Sequence, residues 1–409
     1  MKHQEAAATG RWLGKPPEIS IQKGGSVRPW LVIALAVLIV TLASPSGLSE
    51  SLRGYTAASV VSLGIAGTCA VANKRGAALI PWGIGLFLAW AAYGATYSFE
   101  TSSTVPAVIV LAIVALTAVI VAKTATLEEV LTGISIAGTA SVFLSVGLLA
   151  INPSSAMSVI GLNGIYGHKN ILGFVLALGV VSTFLLQSRL SIKITLIATQ
   201  LVGVYLSSSS TAMLLAVLAT AFGFVLLQYW KSEGKLLDRF VLVLAALLAT
   251  AVGTYLALFG LDKVLIFLGK TPTLSARTTI WAAVEHYIGL APLKGYGLGA
   301  VWTETSPIGA AVRANSTQSA MHAHNGYLDL VLQTGFVGAI LFGMTLLVGL
   351  VRAVRRTVHM TNGVDLWPFV TLCLLLFYNL LEMRFFNLLG FFVIVVALSS
   401  RSIPAQRDS

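Results

Sequence analysis

Three short stretches of the chain gather side chains able to move protons or hold anions. In Met321–Phe342 (MHAHNGYLDLVLQTGFVGAILF), His324 and Asn325 stand directly before an apolar run, with His322 two residues earlier. A neutral imidazole can take a proton from a hydroxyl, and the positive end of a helix favours that neutral form. His324 is therefore a candidate general base, and Asn325 is placed to cap the helix. Gly335 and Gly338 would allow close contact between helices. In Gly164–Asn170 (GIYGHKN), His168 and Lys169 put donors where a second apolar run begins, and helix N-termini favour phosphate. In the third stretch, SARTTIW and then APLKGYGLGAVW, Arg277 carries a planar, permanently charged fork suited to a diphosphate. The glycines Gly295, Gly297 and Gly299 predict a tight irregular turn beside Tyr296 and Trp302.

Each stretch also has a plainer reading. His324 could be a boundary histidine bonded to loop backbone. Lys169 could reach for lipid headgroups. The segment Ser275–Ile288 reads as a helix with Ser275 as N-cap and with Arg277, Trp281, Val284 and Ile288 on one face. Such a helix could lie on the membrane surface, anchored by Trp281 and Tyr287. Several chemistries are missing. The outer loops hold no D-x-D and no paired carboxylates at metal-binding spacing, so no metal is expected. There is no Walker A pattern, and the G-x-G-x-G lies outside any βαβ context, so no nucleotide cofactor is expected.

The elements that must position these groups are membrane helices. Of 409 residues, 56% are hydrophobic and only 10% charged, against about 25% charged in a soluble domain. The mean hydropathy is +0.87. Continuous apolar runs predict an all-α, polytopic integral membrane protein rather than a β-barrel. About twelve spans are expected, near 30–45, 55–72, 77–97, 104–122, 130–151, 170–187, 194–209, 211–229, 240–260, 326–351, 366–381 and 384–400. Residues 1–29 read as a cytoplasmic tail entering an uncleaved first helix, 30–260 as nine spans, 261–325 as a long periplasmic loop or cap, 326–400 as three more spans, and 401–409 as a cytoplasmic tail.

That topology puts 18 of the 26 basic residues inside. Five of the other eight lie in the long loop, which weighs little in orientation. The net charge of +11 is thus a positive-inside signal, with membrane lipids as the partner and no nucleic acid. Cys69 and Cys373 read as packing residues. Glu382 and Arg384, in an outer turn between the last two spans, read as a local ion pair.

The three stretches together resemble the O-antigen ligase and polymerase superfamily. H-N-x-x-L at His324–Leu328 with Gly335 and Gly338 is similar to its signature. S-x-R-T-x-x-W around Arg277, P-L-x-G-Y-G-x-G-x-x-W after it, and G-H-K-N-I-L-G at 167–173 are similar to its exopolysaccharide polymerase branch. The resemblance implies a GT-C-like fold and an inverting, metal-independent glycosyl transfer on the periplasmic face of the bacterial inner membrane. The donor would be a polyprenyl-diphosphate-linked glycan and the acceptor a glycan hydroxyl, with a flippase and a chain-length regulator as partners. His324 would be the base and Arg277 the diphosphate ligand, with Lys169 and His168 contributing. Asn325, His322 and Trp281 would support them. The sequence departs from the family's S-R-G-A pattern at Ser207–Ala212, where Ser210 stands in the arginine's place. Two alternatives remain: a ligase acting on lipid A core or on protein, and a secondary transporter. Against transport, no clear inverted repeat is visible.

Overall fold

The computed structural model describes residues 27–43, 52–72, 80–231, 274–314, 320–358 and 360–400. The expected span at 240–260, most of the two tails and the first part of the long loop lie outside these residues. The described chain is mostly helical. Its main helices are α1 (Pro29–Ala43), α2 (Leu52–Ala72), α3 (Trp82–Tyr93), α4 (Thr101–Thr124), α5 (Leu127–Ile151), α6 (Lys169–Leu185), α7 (Leu190–Ser207) and α8 (Ser210–Lys231). After the undescribed gap come α9 (Leu274–Leu290), α10 (Pro307–Ala314), α11 (Gly326–Val358), α12 (Trp367–Leu381) and α13 (Leu388–Ser399). Among the described residues, six helices are long and apolar enough to cross a membrane: those at Thr101–Thr124, Leu127–Ile151, Leu190–Ser207, Ser210–Tyr229, Gly326–Thr357 and Gly363–Leu381. With the shorter apolar helices at Pro29–Ala43, Thr56–Val71, Lys169–Leu185 and Leu388–Ser399, they make a polytopic membrane protein.

The departures from the sequence expectation are local. One small hairpin, Met157–Ser158 paired with Gly161–Leu162, interrupts the all-α pattern. The span expected at 384–400 starts only at Leu388. Asn387 caps it by accepting from the Gly390 N–H at 3.3 Å, and residues 382–386 form a turn instead. The side chain of Ser275, the expected N-cap of α9, lies outside the described residues.

Helices α6 and α13 are buried nearly all round and make the middle of the bundle. Helix α5 packs along α1, α6 and α7, while α13 lies against α4 and α11 against α3. At the end of the bundle away from His168, Arg28 grips Glu129 with Nε and Nη2, both at 2.8 Å. Glu129 also completes a capping box with Thr126 that starts α5. The capping box satisfies two otherwise orphaned backbone donors at the start of α5.

The described part of the long loop is a folded cap with its own small core. Ile280 and Val284 of α9 pack there with Val301, Trp302, Val312 and Leu332. Helix α9 thus rests on protein through this face. The cap is tied down at Gly335, where α11 breaks with φ 65°. The Tyr296 and Gly297 N–H groups donate to Leu332 and Gln333 carbonyls at 3.1 and 2.9 Å, and the Phe336 N–H donates to Pro292 at 2.8 Å. A Cβ at Gly335 would collide with the Leu293 backbone. Gly335 therefore serves contact with the cap rather than with another helix, a correction to the sequence reading. Gly295, Gly297 and Gly299 all have positive φ, forming the tight turn their spacing predicts.

Candidate functional site

The site forms where several helix ends meet on the side of the bundle that carries the cap. Its centre is Glu382, the residue that ends α12, with no solvent exposure. Its Oε1 accepts from Asn170 Nδ2 at 2.7 Å and from Arg277 Nη2 at 2.9 Å, and lies 3.3 Å from His324 Nδ1. His322 Nε2 is 3.6 Å from Oε2. Arg384 Nη2 is 3.9 Å away, the longest of these contacts. The local ion pair of Glu382 with Arg384 read from the sequence is present, and residues from three further stretches converge on the same carboxylate.

Local structure explains the placement of each group. Arg277 sits in the first turn of α9, and its Nη1 also donates to the Leu381 carbonyl at 2.8 Å, so the fork spans the end of α12. One turn further along, Trp281 donates from Nε1 to the Ala323 carbonyl at 2.9 Å and holds the histidine loop against α9. Asn325 caps α11 as expected, its Oδ1 accepting from the Tyr327 and Leu328 N–H groups at 2.9 and 3.2 Å. His324 is held at φ 49°, a backbone region costly for a residue with a Cβ. The other non-glycine residue with positive φ among those described is Ser208, beside Ser209, which also belongs to this neighbourhood.

His322 is not the loosely placed ring that its position two residues back suggested. Its Nδ1 accepts from the His324 N–H at 3.1 Å, and the two rings are 4.2 Å apart. This bond puts the proton of a neutral His322 on Nε2, towards Glu382. Burial pushes the pKa of His322 well below its ordinary value, and the neighbouring His324 adds to that. Burial by itself would raise the Glu382 carboxyl, but His324 and Arg277 outweigh it and hold Glu382 well below the usual range. Where the His324 ring is neutral, an ionised Glu382 selects the tautomer with its proton on Nδ1, leaving Nε2 as that ring's lone-pair nitrogen.

His168 is the N-cap of α6, with Nδ1 accepting from the Asn170 N–H at 3.2 Å. Burial lowers its pKa, so at neutral pH it offers an Nε2–H donor rather than a charge. Lys169 opens α6 beside it. The serine run that departs from the family pattern ends here too, because Ser209 Oγ donates to Asn170 Oδ1 at 3.1 Å. The structure thus gathers His168, Arg277, His322 and His324 around one carboxylate, with Lys169 adjoining. Trp281 and Asn325 act behind them.

Sequence reasoning missed Glu382, Asn170 and Asn379. The Asn379 Oδ1 accepts from the N–H groups of Arg384 and Phe385 at 2.8 and 3.0 Å and shapes the turn. A signal for Glu382 was present: with Arg384, it is the only charged residue between Leu366 and Ser400, and charges in such apolar surroundings are costly and usually functional.

His322, His324 and Glu382 place ligand atoms within 4.8 Å of one another, as metal ligands do. The surroundings argue against a divalent ion. Arg277 occupies Oε1 and Arg384 stands beyond Oε2, which puts two positive charges on the carboxylate a cation would need. The Nδ1 of His322 is already committed.

Fold and site together define a multi-pass helical membrane protein with a buried, cation-rich cluster at its helix ends. Residues 195–343 match the family model described as O-Antigen ligase. The chain is also 26% identical over 212 residues to the exopolysaccharide production protein ExoQ of Rhizobium meliloti (strain 1021), covering 47% of each chain. It therefore spans about half the length of that relative. Both findings support the O-antigen ligase and ExoQ-like family that the motifs resemble. The family match contains Arg277, Trp281, His322, His324 and Asn325. It leaves out His168, Lys169, Glu382 and Arg384.

Proposed function

We propose that the protein is a polysaccharide polymerase of exopolysaccharide biosynthesis. It joins polyprenyl-diphosphate-linked repeat units on the periplasmic face of the inner membrane, with both termini cytoplasmic, about twelve spans and a GT-C-like fold. The observation that carries this reading is the contact of His324 Nδ1 with buried Glu382 beside Arg277. It supplies a base with a defined lone pair next to a fixed cation, which is what a metal-independent transfer needs.

In this reading Nε2 of His324 takes the proton of the acceptor hydroxyl. The hydroxyl oxygen attacks the anomeric carbon from the face opposite the diphosphate, so configuration inverts. The C–O bond to the diphosphate breaks, and polyprenyl diphosphate leaves with the bonding electrons. Arg277 holds that leaving group, assisted by Lys169 and the Nε2–H of His168. The charge on the leaving group grows as the bond breaks, so a fixed cation stabilises the transition state more than the ground state. A flippase delivering the donor and a chain-length regulator are the expected partners.

Purified protein given lipid-linked repeat units should make polymer, and the rate should be unchanged in EDTA. Loss of activity in EDTA that Mg²⁺ or Mn²⁺ restores would overturn the metal-independent mechanism. The sidedness is tested separately with reporter fusions. A fusion after Gln318 should report a periplasmic position and one after Arg356 a cytoplasmic one; the reverse pattern would place the site on the wrong face. A ligase shares this chemistry and differs in the acceptor it takes, so the product of the same assay separates the two.

A further inference from the structure

We propose that Arg384, with the Tyr378 hydroxyl beside it, forms a second phosphate subsite, so that the two phosphoryl groups of the donor are divided between Arg277 and Arg384. This deepens the diphosphate reading above and rests on it.

The first argument is charge. Arg384 is 3% exposed and Glu382 fully buried, and the Arg277 side chain is only 11% exposed. Two guanidinium groups share one carboxylate, which leaves a positive charge in a nearly dry place. Such a charge is expensive unless an anion completes the set. The 3.9 Å separation of Arg384 from Glu382 leaves the arginine poorly compensated.

The second argument is unfilled hydrogen-bonding capacity. Arg384 Nη1 donates to the Met383 carbonyl at 2.9 Å and Nη2 to the Asn170 carbonyl at 3.1 Å, which fixes the guanidinium plane. The group lies 5.2 Å from the Phe174 ring and 5.4 Å from the Tyr378 ring. Among the described residues, Arg384 Nε, the Tyr378 hydroxyl and Glu382 Oε2 are buried without a close hydrogen-bond partner, the first two of them donors. Buried donors without partners are rare. Two around one cation make a place for a multivalent acceptor, and the oxygens of a phosphoryl group fit that description.

The third argument is the backbone. Asn170 lies in the first turn of α6 and Ser209 directly precedes α8, and their side chains are bonded to each other. Two helix N-termini therefore meet at the residue whose carbonyl seats Arg384, and each adds partial positive charge.

The test uses the full chain in detergent or nanodiscs with inorganic pyrophosphate as the probe, read by competition binding and by thermal stabilisation. Wild-type protein should bind it. Arg384→Lys keeps the charge but loses Nε and the planar fork, and should weaken binding about tenfold or more. If Arg384→Lys does not insert, Tyr378→Phe decides, since it removes only an oxygen and should weaken binding without lowering the unliganded melting temperature. Undiminished binding in a folded Arg384→Lys protein, or failing that in Tyr378→Phe, while Arg277→Lys binds poorly, overturns the second subsite and leaves Arg384 a structural neighbour of Glu382. Absence of pyrophosphate binding by the wild type would instead overturn the diphosphate reading itself.

Discussion

His324→Ala is expected to abolish polymer formation while lipid-linked repeat units accumulate, and His322→Ala is expected to leave substantial activity. Loss of a general base costs about 10²–10⁴ in rate, enough to separate the variants in cells at equal protein levels. The distinction rests on lone pairs. Both rings are held, but His322 has spent its acceptor nitrogen on the His324 N–H. His324 meets Glu382 through Nδ1 and keeps Nε2 for the acceptor. His322→Ala removes the acceptor of the His324 N–H and loosens a backbone at φ 49°, so a partial loss is expected rather than none. The opposite ranking would move the base to His322.

Arg277→Lys is expected to lower turnover by about 10²–10³, the usual cost of removing one donor aimed at developing charge, with the protein still inserted. The arginine uses two nitrogens at once, one on the Leu381 carbonyl and one on Glu382. A lysine carries one nitrogen on a flexible stem and cannot reproduce that fork. It does keep a positive charge beside Glu382, so the carboxylate is not left buried without a counter-ion, a loss that would cost about 3–5 kcal/mol. Membrane-fraction levels and the melting temperature should stay near wild type while the polymer yield falls. Normal turnover by this variant would remove Arg277 from the donor site.

Glu382 shows where sequence reasoning stopped. Its rarity in an apolar stretch was visible, and so was its neighbour Arg384. The sequence offered no means to see that Asn170, Arg277, His322 and His324 would all reach it. Those residues are separated from Glu382 by 58 or more positions. Their meeting depends on how helix ends stack, which no local periodicity records. Gly335 is a similar case. Its value as a close-contact residue was legible, but the partner proved to be the Leu293 backbone of the cap.

By itself, the sequence determined that this is a helical membrane protein, because a lipid interior forces each spanning segment to satisfy its own backbone hydrogen bonds. It also marked the short stretches that gather ionisable side chains, since charged and ionisable residues are few and stand at the ends of apolar runs. Only the tertiary structure decided which of those residues come together. The ends of α6, α9, α11 and α12 meet around one buried carboxylate, and that carboxylate sets the tautomer of His324 and holds the fork of Arg277 in place. The physical reason is range: lipid solvation acts on each segment separately, while a buried ionic cluster exists only once the segments have packed.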